Sequence, residues 1–179
     1  MAKIFFCLCA FLLSACSISK LDFKPKKSLL KTPEQKVIED FYRGYFVDKS
    51  RLNHLPFSKS FNQLVSKNAK ICEKYAGTDV CGWGADGDLY LHAQEYDPNL
   101  SFENSKFQIE QSKSGLVVVR FNIYPSITDA GNFYDREFQF VMIQEEGKWV
   151  VDDMIADGES SRKLMEDEIL VYTPKVFVK

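Results

Sequence analysis

The residues best suited to chemistry lie in residues 82–104, where the helical period of the preceding chain fails. Asp86 and Asp88, with Glu95 and Asp97 downstream, supply carboxylate oxygens of the kind that Ca²⁺ binds. The spacing fits a calcium loop only in part, because the turn-forming glycine and the closing glutamate are missing. Since acidic side chains in glycine-rich turns commonly cap backbone N–H groups, we predict no metal and no cofactor here.

Aromatic and imidazole rings in the same stretch are the candidate binding residues. They are Trp83, Tyr90, His92 and Tyr96. Loops on rigid scaffolds often carry function, and tryptophan and tyrosine frequently dominate binding. The alternative is that these rings close one end of the core as a satellite cluster. His54 is the second of the two histidines in the chain, and no Gly-x-Ser-x-Gly is present, so we predict no catalytic residue.

The first 15 residues have the composition of a secretory signal peptide. A single positive charge at Lys3 precedes an apolar run over residues 4–13, and the small residues Ser14 and Ala15 follow. The run is about half as long as the roughly 20 residues that span a bilayer as a helix, which disfavours a retained transmembrane anchor. We predict that residues 1–15 are removed on export.

The residues that end this segment, Leu13-Ser14-Ala15-Cys16, resemble the bacterial lipobox, in which the cysteine is acylated and the bond before it is cut. Several acyl chains anchor a protein more firmly than one. By resemblance to lipoproteins of two-membrane bacteria, a residue other than aspartate after the cysteine indicates the outer membrane, and here it is Ser17. We expect Cys16 to carry palmitate-type chains at the periplasmic face of the outer membrane. The alternative is a soluble secreted protein.

Charge divides the remaining chain into two parts. Residues 17–32 contain five lysines against one aspartate, whereas residues 33–179 contain 17 basic and 24 acidic residues, which gives net charges of +4 and −7. We predict a flexible tether over residues 16–32, lying near anionic lipid head groups or simply hydrated. An acidic domain without a basic aromatic stripe argues against nucleic acid as a partner.

The cysteines that remain after export predict one disulfide. Cys7 and Cys9 leave with the signal peptide and Cys16 is lipidated, so Cys72 and Cys81 are left to pair. An oxidising, exported setting favours that bond. A redox-active pair is disfavoured because the spacing is not Cys-x-x-Cys.

Two helices are expected before any strand. Thr32 and Gln35 form a capping box around Pro33, and an apolar face with a period of 3.6 residues continues to about Asp48. A second helix is expected over residues 58–75, with Gly77 as its stop. One side of this helix is expected to carry Phe61, Leu64, Val65, Ile71, Cys72 and Tyr75.

After residue 104 the apolar pattern changes to the alternation of β-strands. Strands are expected around Phe107 and Ile109 and over residues 116–124, 133–144 and 149–155, with a helix over residues 160–172. Asp152 and Asp153 are adjacent on the last strand, so their side chains should point to opposite faces. Arg120 or Arg136 is the expected partner of an inward-facing carboxylate. Helices first and antiparallel strands afterwards predict an α+β domain.

Three short segments resemble one known family. They are Val37 with Phe41, Tyr42 and Tyr45; Asp86-Gly87-Asp88 with residues 93–97; and Trp149 to Met154. Taken together over residues 32–169, they look like the small bacterial lipoproteins typified by YbjP, which carry a domain of unknown function. The resemblance implies a nuclear-transport-factor-two-like fold, in which a curved antiparallel sheet wraps against N-terminal helices to form a cone with a pocket.

These patterns predict a single α+β domain over residues 33–172, followed by a tail at residues 173–179. The leading functional hypothesis is a membrane-anchored, non-enzymatic domain that binds a periplasmic protein or a small ligand. One alternative is an immunity protein that neutralises an exported toxin, since an acidic face suits a basic toxin surface. Another is a pocket enzyme of the isomerase or dehydratase kind.

Overall fold

Two helices come first in the chain, an antiparallel sheet follows, and a third helix comes last. The computed structural model describes residues 30–48, 55–128 and 131–173. The signal peptide, Cys16, most of the tether, His54 and residues 174–179 lie outside these ranges. The elements are α1 (Pro33–Val47), α2 (Lys59–Tyr75), β1 (Gln108–Gln111), β2 (Val117–Asn122), β3 (Asp135–Glu145), β4 (Lys148–Ala156), β5 (Glu159–Ser160) and α3 (Ser161–Tyr172).

The five strands pair in chain order, each antiparallel to the next. The predicted α+β class is confirmed. The two-residue strand β5, which pairs with the end of β4, was not predicted because two residues are too few to show a period. Among the residues that the structure describes, no helix combines the length and apolar character needed to cross a membrane.

The start of α1 follows the predicted capping box. Thr32 Oγ1 accepts a hydrogen bond from the Gln35 backbone N–H at 3.3 Å, and the Gln35 side chain accepts one from the Thr32 N–H at 2.8 Å. Both bonds satisfy N–H groups that have no partner within the helix, and Pro33 needs none. The helix begins where the sequence predicts, and one apolar face of it packs against the sheet.

Tyr42 lies at the centre of an aromatic cluster that fills the space between α1 and the sheet. Its ring centroid lies 5.3 Å from that of Phe121 and 5.5 Å from that of Phe107. Phe138 and Phe140 of β3 are also fully buried and contact the same ring. Burial raises the pKa of the Tyr42 hydroxyl well above its usual value. The group therefore stays protonated and donates to the backbone carbonyl of Tyr90 at 3.2 Å.

Helix α2 packs mainly against α3, and it meets the sheet at β4 and, through the Lys59 backbone N–H, at Glu145 of β3. Ser58 caps it, since its hydroxyl accepts from the Phe61 backbone N–H at 3.0 Å. Phe61 and Cys72, on the side predicted to carry the apolar residues, are buried, whereas Tyr75 of the same set is 38% exposed. A single neighbouring helix covers only a narrow stripe of α2, and Tyr75 is the last residue of the helix.

A β-bulge on β4 changes where its two aspartates point. Val141 pairs with Asp153 and the next residue, Met142, pairs with Val151, so Asp152 is the extra residue. Both carboxylates reach the first turn of α3. Their partner is Arg162: its Nη2 donates to Asp152 Oδ1 at 2.6 Å, and its backbone N–H donates to Asp153 Oδ1 at 3.1 Å.

Neither of the two arginines expected as partners reaches these carboxylates. Arg120 pairs with Glu110 and Glu137 on the adjacent strands. Arg136 donates to backbone carbonyl groups, among them that of His92 at 3.2 Å. The sequence pointed to the neighbouring strands because the bulge, which turns Asp152 towards a helix, leaves no mark in the apolar pattern.

Asp152 makes the stability of the fold depend on pH. Burial alone would raise its pKa, but hydrogen bonds from Ser58, Arg162 and Ser60 outweigh burial, and the pKa lies below the ordinary value of 3.8. Such a carboxylate stabilises the fold above its unfolded-state pKa, and the contribution is lost as the pH falls through the folded-state pKa. We expect Asp152→Asn to lower the free energy of unfolding by about 1.5–3 kcal/mol at neutral pH, with the difference shrinking below about pH 4.

Urea unfolding of both proteins from neutral pH to about pH 2.5 measures this difference. Asp40→Asn is the matched control, because it removes an exposed carboxylate on α1 and should change the free energy by less than about 0.5 kcal/mol. A difference between wild type and Asp152→Asn that stays constant across the pH range would contradict the prediction.

Candidate ligand-binding cleft

A cleft of about 410 Å³ lies between α3, the end of β4 and the loop over residues 82–94, here called the glycine loop. Met154 of β4 and Met165 of α3 line it, and each is only 1% exposed. Leu164, on the same helix, also lines the cleft but is 47% exposed. The volume lies in the range that holds small organic ligands, and a largely apolar wall is typical of such sites.

Asp88 holds the glycine loop in shape. Its Oδ1 accepts from the backbone N–H groups of Tyr90 and Leu91, each at 3.1 Å, and its Oδ2 accepts from the Tyr45 hydroxyl at 2.5 Å. Burial and this bond to Asp88 raise the pKa of Tyr45, so its hydroxyl remains a donor. Asp88 therefore connects the loop to α1 and to its own backbone.

Gly87 permits the close approach within this loop. Its φ is +134°, and a Cβ placed there would lie 2.9 Å from the Ala93 carbonyl oxygen. The Asp88 N–H donates to that same carbonyl at 2.8 Å. Any larger residue at position 87 would disturb the bridge that closes the loop.

Two of the other acidic residues of the partial calcium pattern, Asp86 and Asp97, also have protein partners. Asp86 Oδ1 accepts from Gln94 Nε2 at 2.9 Å. Asp97 is 3% exposed and accepts from the backbone N–H of Asn99 at 2.9 Å and from that of Ser126 at 3.3 Å. These carboxylates cap backbone or side-chain donors, which is the structural role that the sequence favoured.

Cys72 and Cys81 form a disulfide that joins α2 to the start of the glycine loop. Within the described residues, the only group of three or more potential metal-ligating side chains that lie together consists of these two cysteines and Glu168. Both sulfurs are bonded to each other, so they are not available as thiolates. The group is therefore a covalent and hydrogen-bonded junction.

Glu168 and Asn68 complete that junction. The Glu168 carboxylate accepts from Asn68 Nδ2 at 2.6 Å and from the Gly82 backbone N–H at 3.3 Å. Asn68 is fully buried, and its Oδ1 accepts from the Trp83 backbone N–H at 3.0 Å. The junction fixes the glycine loop to both helices, which gives the cleft a rigid wall.

The aromatic candidates divide between core and cleft. The indole of Trp83 packs edge to face with Phe57 and Phe61, at centroid distances of 5.2 and 4.9 Å. Tyr90 packs in the same way on Phe41 at 4.7 Å, and burial raises its pKa to about 12. Tyr96 is half-buried against the core. These contacts support the satellite-core interpretation, although Trp83 also lines the cleft.

His92 is the exposed member of the predicted set. It lines the cleft, and its Nδ1 lies 2.9 Å from Asp157 Oδ2 in the turn between β4 and β5. A carboxylate in this position orients an imidazole ring. Among the described serine and cysteine side chains, none is hydrogen-bonded to His92. The pair can bind a polar group or exchange a proton, but it lacks the nucleophile of a triad.

Sequence analysis identified the loop side of the cleft and missed the opposite side. Trp83 and His92 were predicted as binding residues and line the cleft; Tyr90 and Tyr96 were predicted and do not. Leu164 and Glu168 were missed, although their spacing of four places them on one face of a helix. Comparison of the chain with family models, with curated proteins and with solved structures found no match.

Trp83 is expected to contribute to stability. Trp83→Ala removes the ring that packs on Phe57 and Phe61, and should lower the free energy of unfolding by about 3 kcal/mol. The control is Phe133→Ala, which truncates a ring that is 74% exposed and should cost less than about 0.5 kcal/mol. Urea unfolding compares the two, and equal stabilities would refute the satellite-core interpretation.

Proposed function

We propose that this protein is a lipid-anchored periplasmic binding protein whose ligand site is the cleft between the glycine loop and α3. The observation that carries the proposal is the cleft itself, a space of about 410 Å³ with the exposed Leu164 and the partly exposed Leu89 in its wall and a rigid loop beside it. An apolar surface that no described residue covers supports a ligand site, since folded proteins otherwise bury such surface.

The cone-shaped, nuclear-transport-factor-two-like architecture belongs to the same proposal. It is supported by the order of helices before an antiparallel sheet and by α1 packing on one face of that sheet. In such a cone the expected pocket lies under the sheet. Here Tyr42, Phe138 and Phe140 occupy that space with no exposed surface, so the proposed ligand site lies beside the sheet instead.

The membrane anchor and the outer-membrane location rest on the sequence of the first 17 residues. The apolar run, the lipobox-like ending at Cys16 and the serine that follows support an acylated lipoprotein of the YbjP type. A basic tether of net charge +4 would then lie close to anionic head groups.

An immunity protein is a second candidate, supported by the net charge of −7 over residues 33–179. A basic toxin would be attracted to such a surface. In this case the binding partner would be a protein encoded next to this chain, and it would be recovered with the acylated protein from envelope extracts.

Cys16→Ser should abolish acylation, because the proposed acyl acceptor is the Cys16 thiol. The full chain is expressed in a two-membrane bacterium supplied with an alkyne-modified palmitate, and the incorporated label is measured in the membrane fraction. Cys7→Ser is the matched control and should keep the label, since position 7 lies in the part that is removed. A labelled Cys16→Ser protein would disprove the anchor.

A fluorine NMR screen of neutral, cationic and anionic fragments tests the cleft on the full-length acylated protein in lipid nanodiscs. In Leu164→Trp the larger side chain should occupy the mouth of the cleft and abolish the binding of fragments that bind wild type. Leu170→Trp is the control, because Leu170 is on the same helix, is 71% exposed and does not line the cleft. Fragments that bind Leu164→Trp and wild type equally would place the site elsewhere.

A further inference from the structure

We infer that the cleft selects an organic cation with an apolar body, such as an arylalkylammonium ion. This inference rests on the proposed function, because it names the class of ligand that the same cleft takes.

The charges around the cleft are almost all negative. Carboxylates line it from the glycine loop, from β5 and from α3, whereas no lysine or arginine is among its lining residues, and His92 is the one basic side chain there. The four carboxylates are Asp86, Asp88, Glu159 and Glu168. Low-dielectric walls concentrate such a field, so a cation is favoured over a neutral ligand and an anion is repelled.

Two of these carboxylates, Glu159 and Glu168, form no ion pair with a described lysine or arginine. Within the described ranges, the hydrogen bonds that Glu168 accepts come from neutral groups, the Asn68 amide and the Gly82 backbone N–H. No salt bridge joins Glu168 or Glu159 to a lysine or arginine in the part of the chain that the structure describes. Their charge is therefore available to a bound ammonium group.

The floor of the cleft excludes a small inorganic cation as the intended ligand. Leu89, Leu164 and Trp83 offer the apolar surface there, whereas Met154 and Met165 are each only 1% exposed and present no ligand atoms to it. Hard divalent ions need six or more oxygen ligands, which this floor does not provide. An apolar body on the floor with a positive group near the carboxylates satisfies both features, and Trp83 is of the ring type that attracts cations most strongly.

Three probes of one shape test the inference: 3-phenylpropylamine, 3-phenylpropanol and 3-phenylpropionate. Their dissociation constants are measured by ligand-observed NMR on the full-length acylated protein in uncharged nanodiscs. We expect the amine to bind at least about tenfold more tightly than the carboxylate, with the alcohol between them. The affinity for the amine should fall as salt rises, while that for the alcohol should change little.

Glu159→Gln identifies the cleft as the origin of this selectivity. It should weaken the amine about two- to fivefold and leave the alcohol unchanged, because an exposed carboxylate contributes a modest attraction. Glu166→Gln is the matched control, since it removes the same charge from α3 at a position outside the cleft, and should affect neither probe.

The results separate the inference from the function on which it rests. Equal affinities for the three probes, all lost in Leu164→Trp, would overturn the cation selectivity and retain the ligand site. Tighter binding of the carboxylate would do the same. If none of the three probes binds, and if the fragment screen finds no fragment whose binding Leu164→Trp removes, both the cation selectivity and the ligand site would be overturned.

Discussion

The attachment of α3 to the bulged strand β4 is the constraint on which the cleft depends. One extra residue in β4 turns Asp152 towards Arg162, while Asp153 accepts from the backbone of the same arginine and from the Ser160 hydroxyl at 2.6 Å. Replacing a largely buried ion pair with apolar groups is often neutral for stability. We therefore attribute the importance of the Asp152–Arg162 pair to the position that it gives α3. It determines where α3 begins, and thereby where Leu164 and Met165 lie.

A second attachment fixes the same helix further along its length. Glu168 lies six residues after Arg162, about 9 Å along the axis, and is bound to Asn68 and to the glycine loop. Between these two points α3 has little freedom to move away from the loop. The Cys72–Cys81 disulfide joins α2 to the chain just before the glycine loop, close to Glu168. The wall of the cleft is therefore held together by α2, α3 and the glycine loop.

Sequence analysis succeeded where the signals are local. Residues close together in the sequence determine the capping box of Thr32 and the change in apolar period from 3.6 to two. The disulfide follows from counting the cysteines that remain after export. Sequence analysis failed at Asp152, because a bulge is a property of the pairing between two strands. The cleft could not be predicted as a unit, since its lining comes from a loop, two strands and a helix that meet only after folding.

The position of Trp83 gives the molecule an optical reporter of its own. The chain contains two tryptophans: Trp83 lines the cleft, whereas Trp149 lies on β4 opposite Gln144, near the turn of the hairpin. The Trp83 Nε1–H is buried and has no acceptor among the residues that the structure describes, so its indole lies in surroundings of low polarity. Its emission maximum and its accessibility to quenchers therefore respond to what enters the cleft, while the emission of Trp149 supplies an internal reference.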